Sequence, residues 1–183
     1  MALLTGTFLT ACFTKIGILS ILCFAFTQAV VGWMGHSSSH SRDKTLNKVG
    51  RIFASLAGGF CLDWWAPKHN MHHIFTNSQL YDDDIKHEYK VYLYPFLYLK
   101  WRYDSITTAI AVKNWFDTFN IMLNWALIFY CRDNLIYFFL GQLLAGFYSA
   151  YVLIGNHERE KRYPEQIQGT FMEHQIITCR NYR

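Results

Sequence analysis

Six histidines fall in three short clusters, His36-Ser-Ser-Ser-His40, His69-Asn-Met-His72-His73 and Asn156-His157. Each lies just beyond a strongly apolar segment or in the loop that follows one. Spacings of three and four place side chains on one helical face, because each residue turns the helix by about 100°. Imidazole is a ligand for iron, zinc or copper, so such a face can hold a metal. Five of the chain's eight histidines lie between His36 and His73, a density that random surface placement does not explain.

The residues around the histidines narrow the choice of metal. A zinc-protease site needs a glutamate beside its first histidine, and Ser37 and Asn70 occupy those positions. Soluble di-iron bundles use Glu-x-x-His pairs, which the apolar segments lack. A bis-histidine haem leaves the adjacent His72-His73 pair unused. Six imidazoles exceed what one tetrahedral zinc takes, which points to two ions.

The elements that carry these clusters are long and apolar. The 183-residue chain has room for one domain, and 52% hydrophobic against 16% charged residues is rich for a water-soluble one. Ile16 to Met34 and Leu135 to Gly155 run for 19 and 21 residues without a charge, which is enough as helix for a hydrocarbon core of about 30 Å. Asn114 to Tyr130 is a third span, although Asp117, Asn120 and Asn124 lie inside it. A carboxylate at mid-bilayer would cost about 3 kcal/mol, so Asp117 is expected near the interface. Met1 to Phe13 reads as the remnant of a further membrane helix. It lacks the basic flank and small-residue cleavage site of a secretory signal. Arg51 to Trp65 and Val91 to Leu99 are too short or too interrupted to cross and read as interfacial or re-entrant.

Charge sets the orientation. Ten of 17 Lys and Arg fall between His36 and Asn114, Arg102 among them, and five follow Gly155. By the positive-inside rule both regions face the cytosol. With Arg51 to Trp65 not crossing, that parity puts all six clustered histidines on one face. The expected fold is therefore an all-α integral membrane bundle of about four transmembrane helices, with interfacial helices and a cytosolic histidine-ligated metal site. The scattered cysteines suggest neither a disulfide framework nor a zinc ribbon. The modest net charge of +4 goes with a membrane partner and no nucleic acid.

Trp64-Trp-Ala-Pro-Lys-His-Asn-Met-His-His73, preceded by Gly35-His-Ser-Ser-Ser-His40, resembles the first two histidine boxes of the membrane fatty acid desaturases. The Lys-His-Asn-x-His-His form is most similar to the front-end acyl desaturases, and Asp82-Asp-Asp-Ile85 fits the acidic segment that follows there. The resemblance implies two non-haem ferrous ions held by His36, His40, His69, His72, His73 and His157. It also implies an acyl-lipid or acyl-CoA substrate, O₂, and electrons from cytochrome b5 or a similar donor, in the endoplasmic reticulum membrane. His174-Gln-Ile-Ile-Thr-Cys-Arg-Asn181 resembles the stretch that precedes the family's third box, and His174 stays outside the ligand set.

Two departures stand out. Ser37 occupies a position where the family usually has aspartate, and the third box is absent from residues 1–183, as is an N-terminal cytochrome b5 domain. The chain thus reads as one desaturase-like domain, incomplete at its C-terminus, from which incomplete iron loading and no turnover are expected. The alternatives are a hydroxylase or ketolase on the same scaffold, or an inactive truncated membrane protein. A transporter would place its ligands near the middle of its spans rather than at one end. His87 and the loop from Asp82 to Asp84 are expected to be solvated. Trp33, Trp64 and Trp65 are expected to be interfacial anchors.

Overall fold

The computed structural model describes residues 2–82, 91–131, 133, 135–157, 161–163 and 169–178, without the side chains of 2, 91, 94, 95, 98 and 153–157. Among these the chain forms eight α-helices and no strand ladder: α1 Ala2–Phe13, α2 Gly17–Ser39, α3 Lys44–Phe53, α4 Leu62–Ile74, α5 Tyr94–Ala111, α6 Trp115–Tyr130, α7 Leu135–His157 and α8 Phe171–Thr178. Two helices, α2 and α7, are long and apolar enough to cross a membrane. They pack on each other, and both carry large apolar side chains left exposed among the described residues, among them Ile18, Leu22, Phe26, Phe139, Leu144 and Phe147.

The expected interfacial segment from Arg51 to Trp65 is a helical hairpin. Asp43 caps α3 by accepting from the backbone N–H groups of Thr45 and Leu46. The helix then widens into a π-helical turn over Ala54–Gly58, and Gly59 reverses the chain at φ 69°. A side chain at Gly59 would be strained at that φ and would fall on the Arg102 guanidinium. The loose carbonyls of the turn are taken up by amides from neighbouring helices. Gln28 donates to Ala57 O at 3.1 Å, and Asn124 donates to Leu56 O at 2.8 Å. Asn120 donates to Ser55 Oγ at 3.2 Å. The polar residues that weakened α6 as an apolar span therefore seat the hairpin.

Arg102 corrects the charge-based reading. Counted above among the cytosolic basic residues, it is 1% exposed between α5, α6 and α7. Its Nη1 donates to Asn124 Oδ1 at 3.0 Å and its Nε to Gln142 Oε1 at 2.9 Å, with the rings of Trp125 and Phe138 about it. The cation lies against Gly59, at the end of the π-helical turn. Val91 to Leu99 starts as a short 3₁₀ turn and continues as helix, with Pro95 in the first turn of α5. Proline is tolerated there because that N–H has no partner within the helix.

Candidate metal centre

The histidine clusters project from two helix ends. His36 lies in the last turn of α2 and His40 caps it, while His69, His72 and His73 occupy the last turns of α4. Their rings converge. The His69 ring centroid is 4.7 Å from that of His36, 5.3 Å from His40 and 4.4 Å from His73. One nitrogen from each of His36, His40, His69 and His73 lies within 4.8 Å of all the others. Nε2 of His69 and Nε2 of His73 are 2.8 Å apart. Metal–imidazole bonds of about 2.1 Å bring neighbouring ligand nitrogens to about 3 Å of one another, so the donor set fits a bound transition metal.

His72 stands beside this quartet, with ring centroids 5.6 Å from His69 and 5.4 Å from His73. His157 closes α7, but its side chain lies outside the described atoms, and His87 lies outside the described residues. His174, excluded from the ligand set on sequence, is 1% exposed on α8, and neither ring nitrogen has a hydrogen-bond partner among the described residues.

Two tryptophans do more than mark an interface. Trp65 stacks on His69 with centroids 4.1 Å apart and planes 20° apart, and it also touches His36. Trp33 sets its ring edgewise to His36. They cover one side of the imidazoles and limit water there. Trp33 also lines an apolar groove of about 310 Å³ between α2 and α3, with Val30, Met34, Leu46 and Val49.

The crowding of imidazoles has an electrostatic consequence. Burial, followed by the neighbouring His69, His40, His72 and His36, pushes His73 from an ordinary value of 6.5 down to about 4. Burial and His69 push His40 down as well. At neutral pH these rings are neutral, the form that binds metal. A group whose folded value lies below its unfolded value contributes stability that is present above about 6.5 and is lost as pH falls toward the folded value. The metal-free chain should therefore unfold more easily on acidification from about pH 6.5 to pH 4 and show little pH dependence just above it. An unfolding titration in detergent across that range checks this.

The acidic segment after the second cluster overturns its expected solvated state at Asp82. That side chain is fully buried and lies 2.9 Å from His72 Nδ1, whereas residues 83 and 84 lie outside the described residues. A carboxylate left unpaired in the interior would be costly, and the turn at Asn77 supplies a backbone N–H to it at 2.8 Å. The sequence signal was the spacing of ten residues from His72, which has no meaning until the intervening turn is known. Ser37, by contrast, is exposed.

A second polar cluster ties the hairpin to α6. Arg51 on α3 bonds Asp63 through Nη1 at 3.0 Å and Nη2 at 2.8 Å, and Asp117 through Nη1 at 2.8 Å. Asn114 Nδ2 donates to both carboxylates. The Arg51 hydrogen bonds hold the Asp63 carboxyl below the usual range. Asp117, in the first turn of α6, is buried and paired with Arg51. Cys61 lies 3.6 Å from Asp117, but Arg51 already occupies the position that a cation would take.

Over 92% of its length the chain is 26% identical to a Δ6-fatty-acid desaturase of Caenorhabditis elegans, and it covers 54% of that protein. A Δ8-(E)-sphingolipid desaturase of Lachancea kluyveri is 38% identical over 46% of the chain and 14% of its own length. This chain resembles front-end desaturases in sequence. A (9-3)-acyl-lipid desaturase of Borago officinalis is 42% identical over 31% of the chain and 13% of its own length. The chain thus spans about half the length of the nematode desaturase and a smaller share of the other two. No family model and no solved structure matches it. The alignment with the front-end desaturases gives the convergence of the histidine rings a chemical context.

Proposed function

We propose that residues 1–183 form the histidine-bearing membrane domain of an acyl desaturase that introduces a double bond into a lipid acyl chain. The observation that carries this reading is the meeting of His36, His40, His69 and His73, donated by α2 and α4, at one end of the helices of a desaturase relative. His36, His40, His69, His72, His73 and His157 would hold two non-haem ferrous ions. Such ions, when bound, would let O₂ act as the oxidant that takes one hydrogen from each of two adjacent unactivated methylenes.

The chain's own residues do the rest. The imidazoles bind as neutral donors, which the depressed value of His73 favours. Trp65 and Trp33 keep water from one side of the centre. The apolar groove beside Trp33 suits a polymethylene chain, which must lie in a dry channel for one carbon pair to be selected. The balance needs two electrons and two protons from outside, so that O₂ leaves as two waters. Cytochrome b5 or a similar donor would supply the electrons.

The uncovered apolar surfaces of α2 and α7 support a bilayer setting, and α6 would complete an out-and-back pair with α7. Basic residues flanking the spans support a cytosolic face for the site, in the endoplasmic reticulum. Relatives named as desaturases favour this reading over a hydroxylase or ketolase.

The test is metal analysis of the purified chain together with product analysis of fed fatty acids in a host expressing the full-length gene. Iron in the protein and a new alkene in the lipids are expected. Zinc alone, or a hydroxylated product without a new alkene, overturns the reading.

A further inference from the structure

Whether His72 can join the quartet depends on the direction of its ring. Its ligand atoms lie outside the group of four, although the ring is buried beside His69 and His73. The carboxylate of Asp82 sets that direction. Asp82 Oδ2 accepts from Asn77 N–H at 2.8 Å and faces His72 Nδ1 at 2.9 Å. An ionised carboxylate only accepts, so Nδ1 must carry the proton, and the lone pair of His72 is then at Nε2.

The support for Asp82 is itself anchored. Asn77 takes a left-handed φ of 64°, and its carbonyl accepts from Tyr163 N–H at 2.9 Å. Its Nδ2 donates to Thr178 O at 2.8 Å, at the end of α8. Earlier in α8, Gln175 Nε2 donates to the carbonyl of His73 at 3.0 Å. Helix α8 starts at a reciprocal cap in which Glu173 Oε2 accepts from Thr170 N–H and Thr170 Oγ1 accepts from Glu173 N–H. It therefore grips both sides of the second histidine cluster, through Asn77 and Asp82 to His72 and through Gln175 to His73.

We infer that Asp82, held in place by Asn77 and α8, is a positioning residue that fixes His72 as an Nε2 ligand and so decides whether the second metal site is complete. The inference rests on the metal-centre reading above. A hydrogen bond to the far nitrogen of a ligating imidazole fixes its tautomer and raises its basicity, and losing one typically costs 10–100-fold in metal affinity.

Long-range nitrogen–proton correlation on the metal-free chain in detergent reads the tautomer directly. His72 should appear as the Nδ1–H form in the wild type and shift toward Nε2–H in Asp82→Ala, with the other histidines unchanged. Cobalt(II) release to a chelator should be about 10–100-fold faster in Asp82→Ala. It should be several-fold faster in Asp82→Asn, which keeps the shape of the side chain and guards against misfolding. In a His72→Ala background, Asp82→Ala should add no further loss. The inference is overturned if the His72 tautomer stays put, or if Asp82→Ala weakens cobalt binding equally with and without His72. A wild-type chain that holds neither iron nor cobalt would sink the metal-centre reading instead, while the tautomer measurement would still report on Asp82.

Discussion

Replacement of His69 by alanine should abolish metal retention while leaving the helices in place. Of the five described histidines in the clusters, His69 and His73 each meet all four others, and His69 is the buried one of the two. Its ring meets those of His36, His40, His72 and His73 and lies flat on Trp65. It is 5% exposed, so no water or other side chain can take its place without rearrangement. Removing it takes away one of the two rings, with His73, that meet both the α2 pair and the rest of the α4 group. Loss of one nitrogen from a two-ion site should reduce iron retained through purification by well over tenfold and remove any new alkene in the full-length context. The helices should stay in place, although loss of a buried ring stacked on Trp65 costs the metal-free fold some stability. Metal analysis beside circular dichroism of His69→Ala separates the two effects. Wild-type iron content in the variant would show that the rings converge for another reason.

The histidine pairs were legible in the sequence because helical periodicity alone puts residues three and four apart on one face, and both clusters do lie on helices. Counting crossings, which needs only hydropathy and charge, put the clusters on one membrane face, whereas the meeting of the α2 and α4 rings is seen in the structure. What stayed hidden depends on pairings between distant residues. Asp82 looked like solvated acid because nothing local shows that Asn77 turns the backbone back toward His72. Asp117 looked like a cost to a membrane helix because its partner, Arg51, is 66 residues away in the chain. Arg102 was assigned to a basic flank because composition cannot show that Asn124 and Gln142 wait for it inside the bundle. Trp65 was read as an anchor because its stacking on His69, four residues on, depends on side-chain direction as well as spacing.

The same logic makes Arg51 the residue whose loss should be felt most by the fold. Arg51→Met keeps much of the aliphatic stem but leaves Asp63 and Asp117 facing Asn114 with no cation between them. Stripping one partner from a buried ion pair costs about 3–5 kcal/mol, since the remaining charge is left in the interior. Two features reduce that figure. Arg51 and Asp63 are partly exposed, so solvent screens their share. Both carboxylates also sit in the first turn of a helix, where the backbone N–H groups favour negative charge by about 0.3–1 kcal/mol each. A loss of about 2 kcal/mol remains, carried chiefly by Asp117, which has no exposed surface. Because Asp117 is the carboxylate stranded in the interior, Arg51→Met/Asp117→Asn should recover more than half of the loss, while Arg51→Met/Asp63→Asn should recover less. Unfolding titrations in detergent give all four stabilities. Since α4 starts at this cluster and ends at His69, His72 and His73, metal affinity in Arg51→Met should fall with stability and return with Asp117→Asn. If the double variant regained stability without regaining metal, the cluster would clamp the hairpin without aligning the histidines.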